Sequence, residues 1–160
     1  MMNSKLSKPG TGVFERILWP TDFSDSDREA LATAGEIARA SGGELILFHV
    51  IGEPAEEIYG EKTREGRDRA AWALWRVAKD EAEQRLAALA ADVLPGFSST
   101  RTLASFGDAA TRIVELVPEE RIDLVVLSAR REKSRLKEML LGSVAYKVVR
   151  TAPCSVLIVK

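Results

Sequence analysis

An α/β domain, with a parallel sheet covered by helices on both faces, is the fold class this sequence predicts. Short runs of nearly continuous Val, Ile and Leu recur along the chain, and segments with helical spacing separate them. The length, 160 residues, suits one domain able to bury a proper core. Continuous apolar runs belong to strands covered on both faces, as in a parallel sheet. Strands that alternate with helices imply right-handed crossovers.

The first strand is Arg16-Ile17-Leu18-Trp19-Pro20, stopped by Pro20, Thr21 and Asp22. Ser24, Asp25, Ser26 and Asp27 then offer side-chain oxygens that can cap a helix start. Ala30, Ala34, Ile37, Ala38 and Ser41 form the helix's inner face, and Gly42-Gly43 ends it. Residues 44–51, ELILFHVI, are the second strand. Residues 52–66, rich in Glu and Lys, read as a loop before a long helix over about 67–91. Its buried stripe is Ala71, Trp75, Ala78, Ala82, Leu86 and Leu89.

Residues 99–104 alternate and suggest a more exposed edge strand. A shorter helix begins near Asp108, includes Ile113, Val114 and Val117, and stops before Pro118. Residues 122–127 are the fourth strand. The last helix starts near Gly142-Ser143 and ends before Ala152-Pro153, because the residue before proline disfavours helix. Residues 155–159 close the series as the fifth strand. The expected organisation is a loose tail over residues 1–13 and one domain over 14–160, without an internal repeat or dividing linker.

Composition excludes several function classes. Lys plus Arg (23) nearly balance Asp plus Glu (24), so a net charge of −1 predicts no general attraction to nucleic acid or anionic membrane. One cysteine precludes an internal disulfide, and one histidine makes zinc or His-dependent catalysis a poor fit. No apolar run reaches the roughly 18 residues of a membrane span. The first residues hold no apolar core of a secretory signal, so the expected location is cytoplasmic.

An open parallel sheet places its ligand crevice beyond the carboxyl ends of the strands. Pro20, Thr21 and Asp22 should meet there with Val50, Ile51 and the segment 128–143. Asp22 either accepts hydrogen bonds from a ligand or only helps to cap the following helix. Gly142-Ser143 opens a helix, so backbone N–H groups can face an anion, although an ordinary helix start looks the same. The sequence has neither a P-loop nor a G-x-G-x-x-G fingerprint, which leaves kinase-like and dehydrogenase-like readings without support. His49 reads as a buried, hydrogen-bonded strand residue, Cys154 as packing before the last strand, and Trp72 and Trp75 as core or interface anchors.

Four blocks, in order, resemble the universal stress protein family: FERILWPTDFS at 14–24, LFHV at 47–50, FGD at 106–108, and LLGSVA at 140–145 followed by TAPCSVLIV at 151–159. The resemblance covers about residues 14 to 160. It implies a Rossmann-like domain (adenine nucleotide alpha hydrolase-like) with strand order 3-2-1-4-5, and a homodimer joined through the last strand. It also implies a non-enzymatic stress-response protein with a site for ATP or AMP, magnesium entering only with ATP. The contacts carried over are Pro20, Thr21, Asp22, Val50, Gly142, Ser143 and Val144. Asp22 and Val50 would hold the adenine end, and Gly142 and Ser143 would meet phosphate and ribose.

Nucleotide-binding members carry a segment G-x-x-G-x9-G-[ST]. Aligned on Gly142-Ser143, its first two glycines fall at Ala129 and Glu132 in this chain. Alanine is tolerable where the backbone avoids positive φ, but Glu132 puts a carboxylate where a phosphate should approach closely. A unit charge ~5 Å from a phosphate charge costs roughly 3 kcal/mol at an effective dielectric near 20, on the order of 100-fold in affinity. Arg130, Arg131, Lys133, Arg135 and Lys137 outnumber Glu132 and Glu138 in the same loop. That run is either a solvated loop or a cationic lid for an anion; it has no interleaved aromatics for nucleic acid. Two alternatives accompany the leading function: an interaction module of the non-nucleotide branch, favoured by Ala129 and Glu132, and a weak ATP hydrolase, for which no general base or metal-binding carboxylate pair is evident.

Overall fold

The computed structural model describes residues 13–52, 64–129 and 141–160, with side chains described from residue 71 onward in the second helix. Nine elements alternate: β1 (Arg16–Pro20), α1 (Asp27–Ser41), β2 (Glu44–Ile51), α2 (Arg64–Val93), β3 (Thr100–Phe106), α3 (Ala109–Glu119), β4 (Leu124–Ser128), α4 (Ser143–Thr151) and β5 (Ser155–Val159). All neighbouring strands are parallel, in the order β3-β2-β1-β4-β5. The fold is the Rossmann-like one expected.

Side chains of successive strand residues point to opposite faces, and here both faces are buried. Ile17, Trp19, Leu45, Leu47, Leu124 and Val126 pack with α1 and α2 through Ala30, Leu31, Ala34, Leu86 and Ala90. Leu18, Ile46, Phe48, Val125 and Leu127 pack with α3 and α4 through Ile113, Leu116, Ala145 and Val148. That two-sided burial is why the central strands lack polar alternation. β3 pairs only with β2, and most of its residues are half-buried, as its alternating sequence suggests.

Several details differ from expectation: α2 spans Arg64–Val93, so the expected loop over 52–66 gives way to helix at 64, and β3 runs on to Phe106 rather than ending at Ala104. β4 starts at Leu124, because Ile122 and Asp123 form the approach; the Asp123 carboxylate accepts the Glu15 amide at 2.7 Å and the Arg16 amide at 3.2 Å. α3 runs through Pro118 to Glu119. A proline in the last turn forfeits one intrahelical bond and leaves the rest of the helix intact. The polar residues at the start of α1 do not cap it through side chains: Ser26 is the N-cap residue and makes no side-chain capping bond, its hydroxyl pairing instead with that of Ser24 at 3.1 Å. Gly42, at φ 63°, ends α1 in the left-handed conformation, where its own and the following amide close on Ala38 and Arg39.

Candidate functional site

The carboxyl ends of β1, β2 and β4 and the start of α4 surround one cleft. It is lined by Pro20, Thr21 and Asp22 after β1, Val50 of β2, and Gly142, Ser143 and Val144 at α4. All seven residues carried over from the family resemblance line this one cleft. Leu127 and Ser128 of β4, Ala109 and Ile113 of α3, Ala145, Ser24 and Asp27 complete the described lining.

The wall after β1 is a tightly tied turn. The Thr21 amide donates to the Phe48 carbonyl at 2.9 Å, and the Thr21 carbonyl accepts from His49 Nδ1 at 2.8 Å. That contact assigns the ring proton to Nδ1, since a carbonyl only accepts. His49 is half-buried and its ring lies 4.5 Å from that of Phe23, and the Arg85 guanidinium lies over the Phe23 ring at 4.0 Å. Phe23 has φ 63°, a conformation unusual for a side chain of its size, and its amide donates to Thr21 Oγ1 at 2.8 Å. Asp22 is exposed, and its Oδ1 accepts the Ser24 amide at 2.9 Å, so part of its acceptor capacity serves the turn itself.

Another part of the lining is the N-terminus of α4. Gly142 is its N-cap residue and carries no side-chain cap, and the first intrahelical bond runs from the Tyr146 amide to the Gly142 carbonyl at 2.9 Å. The amides of Ser143, Val144 and Ala145 belong to the first turn, which has no intrahelical acceptors, and the helix dipole is positive there. This geometry accommodates an anion. Ala129, at the first glycine position of the family pattern, is buried and is not among the residues with positive φ, so its methyl group is compatible with the backbone there. Glu132 and the basic residues Arg130 to Lys137 lie outside the described residues.

Asp27, expected only to cap a helix start, and Ser128, expected at the crevice only as the start of the segment 128–143, prove to be joined. Asp27 is only 5% exposed and does not cap its own helix. Its Oδ2 accepts from Thr21 Oγ1 at 2.5 Å and from the Asp22 amide at 3.2 Å, while Oδ1 accepts from Ser128 Oγ. Burial pushes the Asp27 carboxyl above the ordinary aspartate range; hydrogen bonds from Ser128 and Thr21 oppose that rise, and the nearby Asp22 charge adds to it. A signal was available: Asp27 falls on the same helical stripe as Ala30, Leu31, Ala34, Ala38 and Ser41. A charge on a buried stripe is the kind of polar residue that calls for an explanation.

The remaining candidates stay outside the cleft lining. Cys154 is half-buried and burial raises its thiol, which favours the unreactive protonated form. Trp75 stacks on Phe106 at 5.2 Å, whereas Trp72 is 67% exposed and anchors no core. Among the described residues no group of three or more His, Cys, Asp or Glu side chains is placed to hold a metal ion, and no helix is long and apolar enough to cross a membrane.

Comparison with known proteins agrees with this architecture. Universal stress protein MJ0531 of Methanocaldococcus jannaschii is 30% identical over an alignment that spans all of this chain and 89% of that protein. The solved structure of protein MJ0577, from the same organism, superposes with a TM-score of 0.69 at 27% identity, covering 91% of this chain and 95% of that one. A universal stress protein solved in complex with cAMP superposes with a TM-score of 0.59 at 28% identity, covering 92% and 97%. The model of the universal stress protein family matches residues 14–160, so this chain belongs to the universal stress protein family.

Proposed function

We propose that this protein is a non-enzymatic universal stress protein whose cleft binds an adenine nucleotide, ATP or AMP. The observation that carries the reading is the cleft itself: a turn with hydrogen-bonding groups after β1 faces an uncapped helix N-terminus at α4. Asp22 and Val50 receive the adenine end, Pro20 and Thr21 form its wall, and Gly142, Ser143 and Val144 receive phosphate and ribose. A relative with the same fold, 28% identical, binds cAMP, which supports the ligand class. Magnesium enters only with ATP, held by the phosphates.

The protein acts as a cytoplasmic homodimer joined through β5. β5 pairs with β4 on one side only, so its other edge offers backbone groups, and Tyr146 and Val149 of α4 are exposed large hydrophobics. One domain over 14–160, preceded by a tail, suffices for both functions.

Calorimetric titration of the full chain with ATP and with AMP tests the site. Binding is expected, weakened by Asp22→Ala through the base end. If neither nucleotide binds at millimolar concentration, the nucleotide reading is wrong. An interaction module then takes its place, a reading favoured by the acidic character of the described lining, in which Asp22 and Asp27 are the only charged residues. Phosphate release above the buffer rate would instead show a weak hydrolase.

A further inference from the structure

Asp27 is a carboxylate buried at the cleft to which no nucleotide contact is assigned above. Its oxygens are reached from both sides of the site: Thr21 Oγ1 and the Asp22 amide approach Oδ2 from the turn after β1, and Ser128 Oγ approaches Oδ1 from the end of β4. Ser128 is the last residue of β4, and the Ala129 amide that follows donates to the Val159 carbonyl at 2.7 Å. One side chain on α1 thus ties the base-side turn to the strand that leads into the segment before Gly142.

Fold stability does not call for a charge at this position. A neutral side chain of the same shape would meet much of the geometry without the cost of burying an ionised group, and buried charges are weak contributors to net stability. The raised carboxyl reports that cost, since three donors do not fully offset the burial. A charge kept at such a cost, in a cleft, bonded to both the turn after β1 and the end of β4, is the pattern of a group that serves the site.

We propose that Asp27 is the positioning residue of the cleft: its single carboxylate fixes Thr21 and Asp22, on the wall after β1, relative to Ser128, on the wall at the end of β4. The proposal rests on the nucleotide reading only for what the walls receive. Both walls then respond to one ionisation. Asp22 is the other charged residue of the described lining, whereas α3 and α4 contribute the uncharged Ala109, Ile113 and the start of α4. His49 of β2 meets the turn through the Thr21 carbonyl rather than through Asp27. Asp25, Glu29 and Lys160 line a separate depression beside Ala129.

The test is a pH titration of the full chain by amide NMR without nucleotide, paired with ATP calorimetry. The signals of Asp22, Phe23 and Ala129 should share one titration, with a midpoint above that of an ordinary aspartate, and Asp27→Asn should abolish it on both walls. Asp22→Asn should leave it in place, and Ser128→Ala should remove it from Ala129 alone. Separate titrations on the two walls, or a shared one that survives Asp27→Asn, would overturn the proposal. In calorimetry Asp27→Ala should weaken ATP binding about tenfold or more, with part of the loss recovered in the shape-conserving Asp27→Asn. The difference between the wild-type and Asn pH profiles should follow the NMR midpoint; equal ATP affinity in wild type and Asp27→Ala would also overturn the proposal. If wild type binds no ATP, the nucleotide reading fails and the NMR result alone decides the positioning role.

Discussion

Thr21→Val isolates one hydroxyl without opening a cavity, because valine fills nearly the same volume. Thr21 is buried, 8% exposed, and its Oγ1 does two things at once. It donates to Asp27 at 2.5 Å and accepts the Phe23 amide at 2.8 Å. Loss of a hydrogen bond to a charged group costs about 1.5–3 kcal/mol, and a buried N–H left without a partner costs about 1–3 kcal/mol. Phe23 is only half-buried, so water recovers part of the second amount. The expected loss is about 2–3 kcal/mol, which at a urea slope of about 2 kcal/mol per molar moves the unfolding midpoint down by about 1–1.5 M.

The assay is urea unfolding followed by tryptophan fluorescence, with Thr21→Ser as the control that keeps the hydroxyl. The sign with pH follows from Asp27. Its folded-state pKa is raised, so its contribution to stability is fully present below the unfolded-state pKa and lost as pH rises through the folded one. Removing a donor raises the folded pKa further, which penalises the ionised form in the variant more than in wild type. The gap between Thr21→Val and wild type should therefore be widest above the folded-state pKa of Asp27 and shrink as Asp27 is protonated. A Val variant within about 0.5 kcal/mol of wild type, equal losses for Val and Ser, or a gap independent of pH would refute the reasoning, since surface-like substitutions fall in that range.

Gly43→Ala should lower the unfolding midpoint by the equivalent of about 1–3 kcal/mol, because an added Cβ would meet the Phe14 and Glu15 carbonyl oxygens at 2.7 and 2.8 Å. Gly35→Ala should cost less, since the atoms in its way belong to the Leu94 side chain, which can rotate. Asp108 caps α3, and hydrogen bonds from the Thr111 side chain and backbone, then from Lys147, hold its carboxyl down to about 2. Its contribution should be lost as pH falls from 3.8 towards about 2, and acid unfolding of Asp108→Ala should lack that component. Glu132→Gly should strengthen ATP binding by about tenfold to 100-fold in calorimetry, and Ala129→Gly by less, because only the glutamate adds charge. Light scattering at micromolar concentration should report a dimer that Leu157→Lys weakens; a wild-type monomer would remove the assignment of β5 as an interface.

The fold was legible because the sheet is covered on both sides. Each central strand had to be apolar on both faces, so residues 17–19, 45–48 and 124–127 announced themselves without any alternation to interpret. The boundaries that slipped are those where one polar group altered the local outcome, as at Asp123, or where a late proline was tolerated, as at Pro118. The cleft residues at strand ends and at the start of α4 followed from topology plus family resemblance, since both depend on where elements stop. Asp27 did not follow, for a physical reason. An acidic residue in the first turn of a helix is ordinary, favoured by the dipole, and so reads as serving the helix. Its role becomes visible only when the neighbouring strands are in place. Ser128 lies 101 residues away in sequence, and no local pattern links the two. Long-range polar contacts of this kind leave one local trace, a charge at a position whose helical neighbours are all buried. In α1 that trace is the single reason to look at Asp27 before the site around it is known.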